Sequence, residues 1–454
     1  MKKNLINTIG IIGAVSLLAG CVPGQNIQNT GIFTNGGKEV FNLKEYNSPA
    51  KLSKETVELT KNVKGNKVEV TQITEEQNGC LSDAALNLLS EISSKGNGEN
   101  VLISPFSISA ALGMTENGAE GDTLSQMEET VNGGLTLGEM NSIMYKLSEE
   151  MNSSDEVDWN VANSIWFKDD GEWKINDAFL NEVVTYYHPE LFKAPFDNQT
   201  VVDINAWVKH ETHDMIPEVL DYIPDEARMY LINAIAFEGE WLEEYEEDAV
   251  KEGMQFTNSD GSTSDVTMLC SEEGRYFTLG NGKGFVKPYK GDRYSFVGIL
   301  PEEGVSPEEY ITGLVSSGED FSKAVREAKS DSVAVRIPEF TLDYDIELSE
   351  TYKGMGMDKP FKGGEAEFYK MMQPEYKEAY EIWIGRILHK THIEVDRKGT
   401  KAAAVTVVEM DCGCEAEIEP REIHMVFLDR PFVYAIVDNA TGLPVFIGCQ
   451  NTME

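Results

Sequence analysis

The sequence predicts an α+β domain with large antiparallel sheets. Helical periodicity dominates before residue 222, and short strand-like runs crowd the second half without an internal repeat. No linker-like stretch interrupts residues 80–454, so this segment reads as one domain. Hydrophobic residues make up 41% of the 454, enough to bury a sizeable core.

The first twenty residues stand apart. Lys2 and Lys3 precede an apolar run from Ile9 to Leu18, too short to span a bilayer as a mature helix. Leu18-Ala19-Gly20-Cys21 follows, so residues 1–20 read as a secretory signal peptide. A cysteine directly after small residues resembles the bacterial lipoprotein signal. That resemblance implies diacylglycerol on the Cys21 thiol and cleavage that leaves Cys21 as the acylated first residue. Each buried methylene of such chains contributes about 0.8 kcal/mol, so several chains anchor stably. The expected location is therefore extracytoplasmic and lipid-anchored to the cell membrane. Simple secretion with an incidental cysteine is the plainer alternative.

Residues 21–79 then read as the lipidated cysteine and a flexible tether. After Cys21 this stretch is rich in Asn, Thr, Gly and Lys and carries seven lysines and seven acidic residues. From Leu81 a helical face begins, with Leu81, Ala84, Ala85, Leu88, Leu89 and Ile92, and it stops at Lys95-Gly96-Asn97-Gly98. Strand patterns fall at 285–289, 294–300, 333–337, 424–428 and 432–437.

The formal net charge of −40 argues against a nucleic-acid partner, because phosphates would be repelled. Its plain meaning is a solvated acidic surface, although such a surface also steers basic partners. Leaving Cys21 aside, Cys80, Cys270, Cys412, Cys414 and Cys449 are odd in number, so at least one is free or pairs between chains. Their spacing fits no zinc pattern. The catalytic signatures G-x-S-x-G, H-E-x-x-H and a glycine-rich phosphate loop do not occur. His210 and His213 share a helix face without a third ligand and read as a solvated pair. The expectation is a non-enzyme without metal or cofactor.

The informative stretch is 389–437. His389-Lys390-Thr391-His392-Ile393-Glu394-Val395-Asp396 alternates as a strand. After Arg397, Lys398 and Gly399 comes a small, apolar run, residues 400–410, beside the polar, turn-like segment 411–422. Such a run suits an ordinary buried strand, or a strand exposed in one state and buried in another.

These residues resemble a known family. GTKAAAVTVVEM, residues 399–410, is similar to the hinge of serpins, where the family shows Gly-Thr-Glu-Ala-Ala-Ala-Ala-Thr. RPFVYAIVDNATGLPVFIG, residues 430–448, resembles the C-terminal signature, and VLISPFSIS, 101–109, the early shutter segment. ANSIWF (162–167), LINAIAFEGEW (231–241) and IPEF (337–340) resemble further landmarks in the same order. INAWVKHETHDMI, 204–216, resembles the helix that crosses the main sheet, which accounts for His210 and His213 without a metal. The resemblance runs from about residue 80 to 449.

It implies the serpin fold, with three β-sheets, about nine helices and an exposed reactive-centre loop from Gly399 to about Arg421. The implied function is irreversible, suicide-substrate inhibition of serine, or cysteine, endopeptidases. In this mechanism the cleaved loop inserts into the main sheet and traps the acyl-enzyme. A non-inhibitory serpin serving as a surface binding or structural lipoprotein is the alternative.

The hinge is Gly399, Thr400, Ala402, Ala403, Ala404 and Thr406. Thr400, Ala402, Ala404 and Thr406 fall on one strand face, and none is charged. Lys401 replaces a usual glutamate but faces outward. Arg397 replaces another at the top of the strand, where it is expected to alter loop insertion. Ser104, Ser107, Asn233 and His389 correspond to the shutter beneath the sheet, and Trp241 marks where the loop first enters. Family spacing puts the scissile bond between Gly413 and Cys414, with bonds at Cys412 and Met410 as alternatives. A small residue there implies an elastase-like or subtilisin-like target, or a small-residue-preferring cysteine protease. Cys412-Gly413-Cys414 departs from the family pattern: either it puts bait presentation under redox control, or it is two free loop cysteines. A monomer is expected.

Overall fold

The computed structural model describes residues 50–400 and 423–453, apart from 97, 153–156 and 172. Cys21, Ala402, Ala403, Ala404, Thr406, Met410, Cys412, Gly413 and Cys414 lie outside the described residues.

Nine α-helices and three sheets occur among the described residues. The main sheet runs, edge to edge, β1 (Val57–Glu58), β4 (Glu190–Ala194), β3 (Val157–Lys168), β5 (Met229–Glu240), β14 (Gly399–Thr400), β13 (Arg386–Val395) and β12 (Phe340–Glu347). The second sheet runs β2 (Val101–Ile103), β17 (Pro444–Gln450), β16 (Phe432–Asp438), β10 (Tyr294–Leu300), β9 (Gly282–Pro288) and β8 (Tyr276–Leu279). The third is β15 (His424–Phe427), β11 (Val333–Pro338), β7 (Thr263–Glu273) and β6 (Val250–Thr257). The helices are α1 (Glu75–Lys95), α2 (Pro105–Glu116), α3 (Gly121–Thr130), α4 (Leu137–Asn152), α5 (Asp177–Tyr187), α6 (Asn198–Glu211), α7 (Pro307–Ser317), α8 (Phe321–Arg326) and α9 (Ser349–Gly354).

All five strand patterns read from the sequence are strands, within three residues of the expected ends. In β16 and β17 every residue is buried, as expected of strands covered on both faces. The expected helix from Leu81 starts earlier, at Glu75. Thr74 caps it reciprocally with Gln77, so the helix begins before its apolar face does. It ends at Lys95 with Gly96 as cap, as the glycines predict.

The helix expected over 204–216 is α6. Asp197 caps it through the Gln199 and Thr200 amides, and it ends at Glu211. Ile204, Trp207 and Val208 pack against Trp166, Phe192 and Tyr230, so α6 lies on one face of the main sheet. The sheet's other face shares an apolar core with α2 and the second sheet, through residues such as Ile165, Leu231, Ile387, Ala111 and Ile447.

The tether expected over 21–79 needs correction in its described part. Residues 50–79 are built into the domain: Val57 pairs with Lys193, and Glu58 with Phe192, at the edge of the main sheet. Asp203 on α6 accepts from the Ser53 amide at 3.0 Å and the Ser53 hydroxyl at 2.6 Å. The Thr56 hydroxyl reaches the same carboxylate at 2.5 Å. Two strand residues and a few polar anchors give no periodicity, so composition alone suggested a free spacer.

Candidate functional site

The site lies at the top of the main sheet, where β13 turns back into β14. The Asp396 carboxylate accepts the Lys398 amide at 2.7 Å and the Gly399 amide at 3.1 Å. The Asp396 amide donates to the Gly399 carbonyl at 2.9 Å, which closes the turn. Gly399 and Thr400 then lie between two strands. Gly399 pairs with Glu240 and Thr400 with Gly239 on β5, while Thr400 also pairs with Val395 on β13. A Cβ on Gly399 would sit 2.1 Å from the Gly239 carbonyl oxygen, so only glycine allows this approach.

Trp241 organises the turn. Its amide donates to the Lys398 carbonyl and its indole N–H to the Asp396 carbonyl, both at 2.9 Å. Its ring stacks on Tyr289 at 4.7 Å between centroids, with 8° between planes. The Tyr289 hydroxyl lies 2.7 Å from the Thr400 hydroxyl, and both residues are fully buried. Nearby, Lys287 and Glu273 form a buried ion pair at 2.9 Å, and the ammonium lies 4.4 Å from the Tyr245 ring centroid.

Arg397 is exposed at the head of the turn. Its amide donates to the Glu339 carboxylate at 3.2 Å, and its carbonyl accepts from the Tyr245 amide at 3.2 Å. Burial pushes the Glu339 carboxyl up, and the Arg397 charge pulls it back. The Arg397 backbone, through its amide, thus ties the turn to the Glu339 carboxylate.

Further down the sheet, β5 and β13 pair directly in parallel register, from Tyr230–Arg386 to Ala236–His392. The sheet is therefore closed below Thr400. At this closed seam the structure brings together Ser104, Ser107, Asn233 and His389. The His389 Nε2 accepts from the Ser104 amide at 3.1 Å, so it carries no proton. The Nδ1 proton therefore goes to the Asn233 carbonyl oxygen. Asn233 donates in turn to Ser107 and Asn163, and Ser107 to Asn163 at 3.1 Å. Ser104 reaches down to the Val445 carbonyl at 2.7 Å, tying the cluster to the second sheet. Full burial holds the His389 imidazole down to about 3, so the ring is neutral at physiological pH.

Sequence reading missed Asn163, Tyr289, Glu339 and Asp396. Asn163 stands inside the ANSIWF segment, so a signal for it existed. Glu339 likewise stands inside the IPEF segment, whereas Tyr289 acts through contacts distant in sequence, with Trp241 and Thr400, which no local pattern reveals. His210 bonds Glu211 at 2.6 Å, and no group of three or more His, Cys, Asp or Glu residues suited to a metal occurs among the described residues. Cys80, Cys270 and Cys449 are free thiols, the last fully buried.

The fold is thus a three-sheet α+β domain whose main sheet holds Gly399 and Thr400 between two central strands, above a polar cluster closing the seam. The serpin (serine protease inhibitor) family model matches residues 80–452, and the chain belongs to that family. It is 28% identical over 381 residues to Iripin-8 of Ixodes ricinus, covering 81% of this chain and 91% of the relative. It is 26% identical over 385 residues to human neuroserpin, covering 81% and 90%. The structure resembles the native state of the thermophilic serpin tengpin with a TM-score of 0.80 and 38% identity, covering 88% of this chain and all of that one. The family acts on proteases, mostly as inhibitors rather than catalysts.

Proposed function

We propose that this chain is an irreversible, suicide-substrate inhibitor of serine endopeptidases, and that cysteine endopeptidases are within its chemical reach. The protease attacks the exposed loop and forms its acyl-enzyme. The cleaved loop then inserts between β5 and β13 as a full strand and carries the protease along. About fifteen residues at roughly 3.3 Å each move it on the order of 50 Å. The observation that carries this reading is the position of Thr400, buried and paired to both strands at the mouth of the seam. The loop sequence supports it, since Ala402, Ala403, Ala404 and Thr406 bring little volume and no charge.

The scissile bond in this reading is Gly413–Cys414, with Met410 and Cys412 as alternatives, and the target prefers small residues. Incubation with subtilisin, elastase and a small-residue-preferring cysteine protease tests it. The expected result is a covalent complex that survives SDS, with a released fragment beginning at Cys414. Loop cleavage without a complex overturns the inhibitory reading and leaves a binding or structural serpin.

We further propose that Cys21 carries a lipid, that the chain acts at the outer membrane–water boundary, and that it works as a monomer. The signal-like segment before Cys21 supports the anchor. Labelling with a lipid precursor should mark the wild type and not Cys21→Ala; equal labelling of both removes the anchor.

A further inference from the structure

The described part of β14 is Gly399–Thr400, and the Thr400 side chain meets one buried hydroxyl. Tyr289 follows β9 in the second sheet and is not part of the main sheet. Its ring is fixed from two sides. Trp241 stacks on it at 4.7 Å, and Phe237 meets it edge-on at 4.9 Å and 66°. Its amide donates to Tyr294 across the β9–β10 turn at 3.0 Å. Tyr289 therefore cannot travel with the loop. Its hydroxyl is a fixed point, and Thr400 is its hydrogen-bond partner among the described residues, at 2.7 Å.

We propose that Tyr289 is a positioning residue for strand insertion. Its hydroxyl docks Thr400 before any protease arrives and sets the register in which the cleaved loop enters the sheet. The proposal rests on the inhibitory reading and adds the device that starts it.

Register matters unusually in this chain. Strand side chains alternate faces, so a slip of one residue exchanges the two faces completely. With Thr400 facing Tyr289, strand alternation in the inserted loop would carry the small residues 402, 404 and 406 onto the buried face and Lys401 onto the opposite one. A one-residue slip would turn Lys401 toward the core beneath the sheet, where an unpaired ammonium is strongly disfavoured. Insertion also races deacylation. A leading residue already paired on both sides spares the loop the entropic cost of its first pairing. Tyr289→Phe keeps the stacked ring and removes only the docking group, which leaves the Thr400 hydroxyl buried without its partner.

The test uses the full extracytoplasmic chain with subtilisin. Two quantities are measured: the moles of inhibitor consumed per mole of protease inactivated, and the rate of loop cleavage. Tyr289→Phe should raise the first several-fold and leave the second unchanged. Thr400→Ser, which keeps the hydroxyl, should behave as wild type. Adding Lys401→Ala to Tyr289→Phe should restore much of the trapping, because a slipped register no longer buries a charge. A merely structural role for Tyr289 would give no such rescue. Hydrogen exchange of the Gly399 and Thr400 amides in the uncleaved protein gives a protease-free readout, and both should exchange faster in Tyr289→Phe.

An unchanged consumption ratio together with unchanged exchange overturns the docking role. So does a raised ratio that Lys401→Ala leaves untouched. Should the wild type form no covalent complex, the inhibitory reading falls by itself, and the exchange rates still decide whether Tyr289 holds Thr400.

Discussion

His389 and Glu116 are both buried, titratable and uncharged at neutral pH, and they pull stability in opposite directions. His389 is held down to about 3 by burial, so the unfolded chain binds its proton first. Its contribution is complete above about pH 6.5 and declines below it by about 1.4 kcal/mol per pH unit. Glu116, on α2, is pushed up to about 8 by burial, and only its Oε2 accepts a hydrogen bond, from Asn132 at 2.8 Å. Its protonated form belongs to the fold, so its contribution is complete below about pH 4.5 and falls as pH rises toward 8. Between about pH 4.5 and 6.5 the two slopes oppose each other, and the wild type should look insensitive. Variants separate them. Glu116→Gln keeps the Asn132 contact, so its stability relative to wild type should climb with pH by about 1.4 kcal/mol per unit from pH 5 to 7.5. The stability deficit of His389→Gln should shrink as pH falls from 6.5 to 5. Denaturant midpoints across that range check both. Residue chemistry of this kind was only half legible. The family resemblance picked out His389, but nothing in MTENG identifies Glu116 as buried.

At the scale of elements, the segment before α1 and the turn after β13 make distinct predictions. Asp203 is 2% exposed and receives Ser53, Thr56 and Gln199. Burial raises its carboxyl, but those donors outweigh burial and leave it below the usual carboxylate range. Asp203→Ala should cost about 2 kcal/mol, since several of the lost bonds were made to a charge. It should also expose residues 50–60 to proteolysis, and mapping the nicked sites checks this. The Gly399 turn is more sensitive. Gly399→Ala would drive a methyl into the Gly239 carbonyl, so β14 should leave the sheet while the rest of the fold persists. Increased exchange at 399–400 with unchanged circular dichroism is the expected result. Elements with strong periodicity, such as α1 and β16, were readable because one face or both meet apolar neighbours. β1 and β14, two residues each, carry no period to read.

At the scale of the whole molecule, the two central strands of the main sheet pair directly below Thr400. The seam between β5 and β13 is closed by direct pairing and by the Ser104–Ser107–Asn163–Asn233–His389 cluster. If insertion completes this sheet, loop cleavage should raise the melting temperature by tens of degrees, because a full strand adds ladder hydrogen bonds and buried side chains. Thr400→Arg should expel β14 from the sheet, abolish both the rise and the covalent complex, and leave the rest of the uncleaved fold intact, since a charge cannot enter the seam. Calorimetry before and after cleavage checks both outcomes.

The sequence by itself determined the α+β class, the strands at 285–300 and 424–437, the hinge composition and the family. Those features reside in local periodicity and in ordered motifs, which need no neighbours to be read. Only the tertiary structure decided that Gly399 and Thr400 enter the sheet, because that depends on Gly239 and Trp241 from one stretch of chain and Tyr289 from another converging on them. It also decided that the Arg397 amide bonds Glu339 and that residues 50–79 belong to the domain. Each of these outcomes rests on a few long-range polar contacts and close backbone approaches, and a linear sequence carries no period or spacing that records them.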